Sequence, residues 1–537
     1  MELSHAYKQA WLPMITRLEC AVSNPWQQRL GVWSIAEKYP SLPAVIASPS
    51  GRAVSYGELT GLAHQIVHGM RRLGVSAGDT VCLALPNDVD ILVWLLAASE
   101  AGWRHFTVSP TLPAAEIDEI VRHSGTKVVV AHGDYADAFG SAGDGGIRIC
   151  VSGHVPGYQS QDAVLHGLPM TSPDDRRCGS VLVYTSGTTG KKKAIEHPTP
   201  DMTPEDQADA SKSFGHAFRF EPLTGAHLVS AGMHHGGCRS FYMGALNVGQ
   251  GLVLMGKFDP VEALSAIEMY KVTTAYMVPT QFVRLQRLPN EVRERYDVSS
   301  LEVVVHSAAP CSPAVKRQML EWWGPVIWET YGGTEGAATI AKPQEWLDKP
   351  GTVGRAIRGV TVRILDDDGN VLAANQTGAV YIETSLGKFR YYGAAQQTAA
   401  AYRGASFTIG DVGYLDDDGF LFIVDRKKDM IITGGINVYP SEVEGILLMH
   451  PAVADVAVVG GPDPEWGERI HAFIEILEGV VATNELTEQL TSLCREHLDR
   501  HKCPRNYEFR PLPRLETGKL YKRLLRDELW SETERAV

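Results

Sequence analysis

Short β-branched apolar runs alternate with longer amphipathic stretches across residues 44–306, and no other feature limits the fold of this chain as strongly. AVIASPSGRAVSY at residues 44–56 reads as a hairpin turning at Ser50-Gly51, Tyr56–Leu73 as an amphipathic helix, and Thr80–Leu85 as a buried strand. Asp88–Gly102 follows as a helix and Lys127–Ala131 as another strand, so the hairpin and these elements are expected in one doubly wound α/β layer. Gly140–Gly146 and Gly153–Thr171 are loop-like, and residues 1–35 have the spacing of helices lying on the main body. Leu228–Gly237, Gly251–Met255, Thr274–Val278 and Leu301–His306 are strand candidates of a second α/β unit. From Gly351 to Asp429 the texture changes to short runs broken by Asp-Gly turns, which signal hairpins of a small barrel or sheet. Beyond Asp429 strands and helices return in a compact last unit with a basic end.

Size and charge narrow the function. At 537 residues the chain exceeds one ordinary core, so several domains are expected. A formal charge of −13 disfavours general nucleic-acid binding. The eight cysteines contain no C-x-x-C pair and read as reduced thiols of a cytoplasmic protein, against zinc or a disulfide framework. MELSHAYKQAW has no signal-peptide pattern, the apolar run Ile91–Ser99 is too short to span a bilayer, and ERAV is no peroxisomal or prenylation signal.

The chemistry concentrates at Tyr184–Lys193, YTSGTTGKKK, which follows the apolar run Val181–Val183. Its glycines let backbone N–H groups approach an oxyanion, its hydroxyls donate, and its lysines add charge. Such a loop suits a polyphosphate, although it is no Walker A element and its composition alone also fits a surface turn. YGGTEG at 331–336 packs an aromatic, a hydroxyl and a carboxylate among glycines. MHHGG at 233–237 offers adjacent histidines without a third ligand at zinc-site spacing. The run Asp416-Asp417-Asp418-Gly419 reads as turn chemistry despite its metal-like look.

These blocks, with AAP at 308–310, IGDVGYLDDDG at 409–419, DRKKDMIITGG at 425–435, NVYPSEVE at 437–444 and PRLETGKL at 513–520, resemble the adenylate-forming superfamily in order and register. That superfamily includes acyl-CoA synthetases, luciferases and the adenylation domains of peptide synthetases, and the likeness covers roughly residues 30–525. Two departures fall in the first block, where Lys192 and Ala194 replace the usual proline and glycine around Lys193; altered loop mobility is expected, not lost chemistry. The resemblance implies a large N-terminal domain (1–425) of two doubly wound α/β subdomains plus a small β-barrel-like subdomain, a hinge (426–428), and a small mobile α+β C-terminal domain (429–537).

It also implies a two-step reaction, in which a carboxylate attacks the α-phosphate of ATP and a thiol, usually that of coenzyme A, then takes the acyl group and releases AMP. Both steps build negative charge, so fixed cations, backbone donors and Mg²⁺ would carry catalysis. By resemblance Lys193, His234, Thr334, Glu335 and Lys519 are the catalytic residues, with Glu335 holding the metal. Thr185, Ser186, Gly187, Thr188, Thr189, Gly190 and Lys193 would wrap the phosphates, and Ala308, Ala309, Pro310, Tyr331, Gly332, Thr334, Asp411, Arg426 and Lys519 would complete the nucleotide site. Lys428 matches the hinge residue, and Gly434, Gly435 and Asn437 the thiol tunnel. His234, Gly236, Gly237 and Ser307 would line the acyl pocket.

An acyl-CoA synthetase acting on a fatty or other hydrophobic acid is the leading reading. An acyl-AMP ligase, or an amino-acid-type enzyme loading a carrier protein, is the alternative. His234 stands where amino-acid-activating domains commonly place an aspartate, so a substrate amine would go unpaired. A luciferase-like oxygenase needs the same blocks. A scaffold that lost catalysis conflicts with the joint presence of Thr334, Glu335, Asp411, Arg426 and Lys519. A small carboxylic acid and coenzyme A are the expected partners, a homodimer is admitted, and neither nucleic acid nor an integral membrane segment is expected.

Overall fold

The computed structural model describes residues 24–48, 50–109, 111–140, 145–185, 193–199, 201–385, 387–477, 479–514 and 520–535, with Thr185 and 532–535 described in backbone alone. Two large sheets form its body. The first has eight strands in the order Arg390–Tyr391, Lys193–Glu196, Ser180–Thr185, Arg104–Thr107, Thr80–Ala84, Thr126–Ala131, Ile147–Cys150, Gln159–Ser160. The second has nine, in the order Arg355–Ala356, Gly336–Ala341, Ile327–Gly333, Val303–His306, Thr274–Met277, Ala226–Val229, Gly251–Leu254, Pro43–Ala47, Ala53–Ser55.

The central strands of both sheets are parallel, and their near-continuous Val, Leu and Ile runs are what burial on both faces demands. Helix Tyr56–Arg72 starts in a capping box, Ser55 with Glu58, that satisfies two otherwise orphaned N–H groups. Helix Val89–Glu100 buries nearly every side chain because it lies between layers, so its apolar residues run all round. Residues of both sheets and both helices share one apolar core, joined by Phe241, Tyr242 and Leu246 of helix Gly236–Val248. The two α/β units are therefore welded along a common interior.

The hairpin sits elsewhere than the sequence pattern predicts. Pro43–Ala47 runs parallel to Gly251–Leu254 at the edge of the second sheet instead of joining Thr80–Ala84. Periodicity reports a strand's faces and is silent about which distant strand it pairs with. The candidate strand at 228–237 also ends early, at Val229, and the chain leaves the sheet before His234. Within the loop-like 153–171, Gln161–Leu165 forms a short helix.

Residues 360–426 form an antiparallel sheet whose central strand Gly378–Thr384 pairs with Val360–Leu365, Ser406–Phe407 and Asp411–Leu415, the last continuing to Leu421–Arg426. The Asp416–Asp418 run is a hairpin turn there, stapled by ion pairs to Lys349. The C-terminal sheet comprises Ile431–Thr433, Ile436–Val438, Val453–Asp463, Gly467–Ile476 and Asn506–Phe509, packed with helices Pro440–Leu447, Asn484–His497 and Lys522–Arg535. Among the described residues no helix is long and apolar enough to cross a membrane.

Candidate active site

The parallel strands Ala226–Val229, Thr274–Met277, Val303–His306 and Ile327–Gly333 end on one edge of the second sheet, where open α/β sheets bind ligands. YGGTEG lies at that edge as a hairpin tip. Gly333 pairs with Gly336, so Thr334 and Glu335 are the two turn residues, presented at the end of rigid strands. A Cβ on Gly333 would stand 2.6 Å from Glu335 Oε2, so a side chain there would push the carboxylate aside. Thr334 O lies 2.8 Å from His197 Nε2.

Tyr391 organises the anionic side of this tip. Its hydroxyl donates to Glu335 Oε1 at 2.9 Å, and Lys193 Nζ lies 4.8 Å from its ring centroid. The contact follows from pairing, because Arg390–Tyr391 hydrogen-bonds to the strand that Lys193 opens. Burial, reinforced by Glu335, pushes the Tyr391 phenol well above its ordinary pKa, so it remains a donor. The remainder of the phosphate-loop assignment (Ser186, Gly187, Thr188, Thr189 and Gly190, with the side chain of Thr185) lies outside the described residues, as does Lys519.

Asp411 opens its strand directly opposite Arg426. Its Oδ2 accepts from the Tyr331 hydroxyl at 2.7 Å, and Arg426 Nε stands 3.5 Å from Oδ1. Burial, then the Asp411 charge, raises the Tyr331 pKa far above that of a free phenol. Gly332 occupies a strand irregularity where a Cβ would meet Gly336 O at 2.5 Å. One strand over, the Ser307 hydroxyl donates to Thr330 O at 2.7 Å, and Ala308 holds a left-handed φ of +72°, an uncommon state for a residue with a Cβ. Ala309 and Pro310 continue this loop. Beneath it the buried Lys316 ammonium meets Glu329 Oε2 at 2.7 Å, fixing the helix Pro313–Trp323 to the strand that carries Tyr331.

On the opposite side of Thr334, helix Gly236–Val248 begins directly after His234-His235. A Cβ on Gly236 would lie 3.0 Å from Val183 Cγ1 and 3.9 Å from the Thr334 side chain, and one on Gly237 would lie 2.8 Å from the Tyr276 hydroxyl. The two glycines let the helix start wedge between the sheets. His234 O accepts from Thr107 Oγ1 at 3.2 Å, and the His234 and His235 rings are 4.0 Å apart. Burial, with His234 adding to it, pushes His235 down to about 3. Phe106, Thr107, Val183, His234, Gly236 and Arg239 line a narrow cleft here.

At the junction with the last sheet, Lys428 O accepts from Arg526 Nη1 at 3.4 Å, and burial lowers the Lys428 pKa. Asp425 Oδ2 accepts from Ser441 N at 2.8 Å across the same junction. Gly434 and Gly435, at φ +57° and +79°, form the turn between Ile431–Thr433 and Ile436–Val438, which carries Asn437. The structure thus gathers Lys193, Thr334, Glu335, His234, Gly236 and Gly237 about one hairpin tip, with Tyr331, Asp411 and Arg426 on its flank. Sequence reasoning missed His197, Tyr391 and His105. Only the aromatic doublet Tyr391-Tyr392 could have drawn notice, and its role depends on a strand pairing across about two hundred residues.

The sequence model described as "AMP-binding enzyme" matches residues 32–392, and that described as "AMP-binding enzyme C-terminal domain" matches residues 442–519. The chain belongs to the AMP-binding enzyme family. Among similar AMP-binding enzymes are a long-chain-fatty-acid–CoA ligase of Mycobacterium tuberculosis, 30% identical over 91% of this chain and 96% of its own, and a fatty acid–[acyl-carrier-protein] ligase of Streptomyces coeruleorubidus, 28% identical over 94% and 96%. An anthranilate CoA ligase solved with anthranoyl-AMP shares the fold at a TM-score of 0.83, covering 94% of this chain and 99% of its own at 23% identity. This AMP-binding enzyme is an ATP-dependent ligase of the adenylate-forming kind.

Proposed function

We propose that the thiol acceptor is coenzyme A and that the hairpin tip Thr334-Glu335 is the centre of adenylation. The observation that carries this reading is the arrangement around the tip, where a cation, a carboxylate and a hydroxyl residue meet beside a helix start opened by glycine. A carboxylate oxygen of the acid attacks the α-phosphorus as the bond to pyrophosphate breaks. The thiolate then attacks the acyl carbon, and the bond to the AMP oxygen breaks. Lys193 and Thr334 stabilise charge on the phosphates, Tyr331 packs against adenine, and Asp411 accepts the ribose hydroxyls. His234 guards the mouth of the acyl cleft.

Glu335 suits a hard cation, since one oxygen is held by Tyr391 while Oε2 has no hydrogen-bond partner among the described residues. Mg²⁺ bound there with the substrate phosphates would neutralise charge on the departing pyrophosphate. No group of three or more metal-ligating side chains exists among the described residues, which fits a metal shared with substrate. We assign residues 426–428 as the hinge about which 429–537 turns, bringing Lys519 to the carboxylate for the first step and Gly434, Gly435 and Asn437 to the thiol for the second. The seven described cysteines are unpaired, in keeping with a cytoplasmic enzyme.

The test is release of AMP and pyrophosphate from a panel of acids with ATP and Mg²⁺, with and without coenzyme A. AMP release that requires the thiol is the expected result. Pyrophosphate release indifferent to coenzyme A would replace it with a carrier-protein acceptor, as one of the relatives has.

A further inference from the structure

We propose that the acid carries a second carboxylate, held by Arg239 within a few ångströms of the reacting one. The inference rests on the ligase reading above and names its substrate class. Arg239 lies in the first turn of helix Gly236–Val248 and lines the same cleft as His234, Gly236 and Val183. Its Nη2 contacts His105 Nε2 at 3.0 Å, and no carboxylate of the described residues lies within ion-pair distance of its guanidinium. The titratable groups described around it are neutral: His105 is buried and pushed down to about 3, His235 likewise, and Tyr242, which shares a hydrogen bond with Arg239, is a phenol whose pKa burial raises.

A guanidinium set so deep without a counter-ion is costly, and the cost falls when an anion joins it. Two further features favour an anion there. The helix N-terminus has no side-chain cap, since His235 makes no capping hydrogen bond, so its first N–H groups point into the same region. The two partners Arg239 has among the described residues, the imidazole of His105 and the Tyr242 hydroxyl, are neutral, so its charge is left uncompensated by them.

Reach fixes the spacing of the two carboxylates. Gly236 abuts Thr334, and Arg239 is three residues further along the helix, a rise of about 4.5 Å. A carboxylate placed two to four carbons from the reacting one spans that distance, whatever apolar body the molecule carries elsewhere. A long unbranched monocarboxylate would instead lay methylenes against the charge.

The test compares matched acids: succinate with butyrate, glutarate with valerate, phthalate with benzoate. Binding of each to the full-length enzyme is measured by calorimetry, and ATP–pyrophosphate exchange is measured with the same acids. We expect each dicarboxylate to bind about tenfold or more tightly than its partner, and Arg239→Met to erase that ratio while Arg239→Lys keeps part of it. A ratio near one in the wild type, or one that survives in a folded Arg239→Met, overturns the proposal. Selective dicarboxylate binding with no exchange from any acid would uphold the anion site and reject the ligase reading.

Discussion

The faces we assign to the nucleotide and to the acyl group flank the same hairpin tip and treat charge in opposite ways. On the nucleotide face the protein pairs its own groups: Glu335 with Tyr391, Asp411 with Tyr331 and Arg426, Lys193 with the Tyr391 ring. In the acyl cleft Arg239 has, among the described residues, only neutral partners, His105 and Tyr242. ATP is the same in every turnover of such an enzyme, so its site can be braced in advance by internal hydrogen bonds and need not reorganise. The acid is what differs between relatives, and a charge left for the substrate to complete is how a site rejects molecules that lack the matching group.

That contrast can be broken experimentally. The largest effect is expected from Lys519→Ala, which removes the one nucleotide-site cation assigned to the C-terminal domain: adenylate formation should fall about a hundredfold or more. Thioester formation from a supplied acyl-adenylate should persist, and an equal loss in both steps would refute the alternation. Tyr331→Phe takes one hydrogen-bond donor from Asp411, and kcat/KM for ATP should drop about tenfold with little change in KM for the acid. Movement of the acid KM instead would mean that the two faces are not separate.

A smaller change is expected from Tyr391→Phe, which frees Glu335 Oε1: the Mg²⁺ concentration for half-maximal rate should shift about fivefold. A magnesium requirement identical to wild type would remove Glu335 from the metal's coordination. The smallest effect concerns protons in the acyl cleft. His105 stays neutral to about 3 in the folded chain, whereas an unfolded histidine protonates near 6.5. Over that window the unfolded state binds the extra proton, so stability is lost as pH falls below about 6.5, by about 0.8 kcal/mol at pH 6. Denaturant titrations of His105→Gln at pH 8 and pH 6 should show this component gone, and an unchanged difference would mean that His105 is protonated when folded.

Local texture was legible in the sequence where one element suffices to define it. The helices Tyr56–Arg72 and Val89–Glu100 and the strands Thr80–Ala84 and Thr126–Ala131 lie within a few residues of their expected spans. The hairpin tip holding Thr334 and Glu335 was visible as a Gly-rich block because glycines confine where a turn can form. Tyr391 was not, since its place beside Glu335 comes from a strand pairing across about two hundred residues, which is no property of neighbouring letters.

The misplaced hairpin bears on how this chain comes off the ribosome. Pro43–Ala47 and Ala53–Ser55 emerge early, yet the strand they need, Gly251–Leu254, is about two hundred residues later. At the usual 5–20 residues per second that is a wait of roughly 10–40 s. Throughout it an apolar pair of strands, too small to hold together alone, has no sheet to join. An early-made piece of the fold thus waits for a strand from near the middle of the chain before it finds its place.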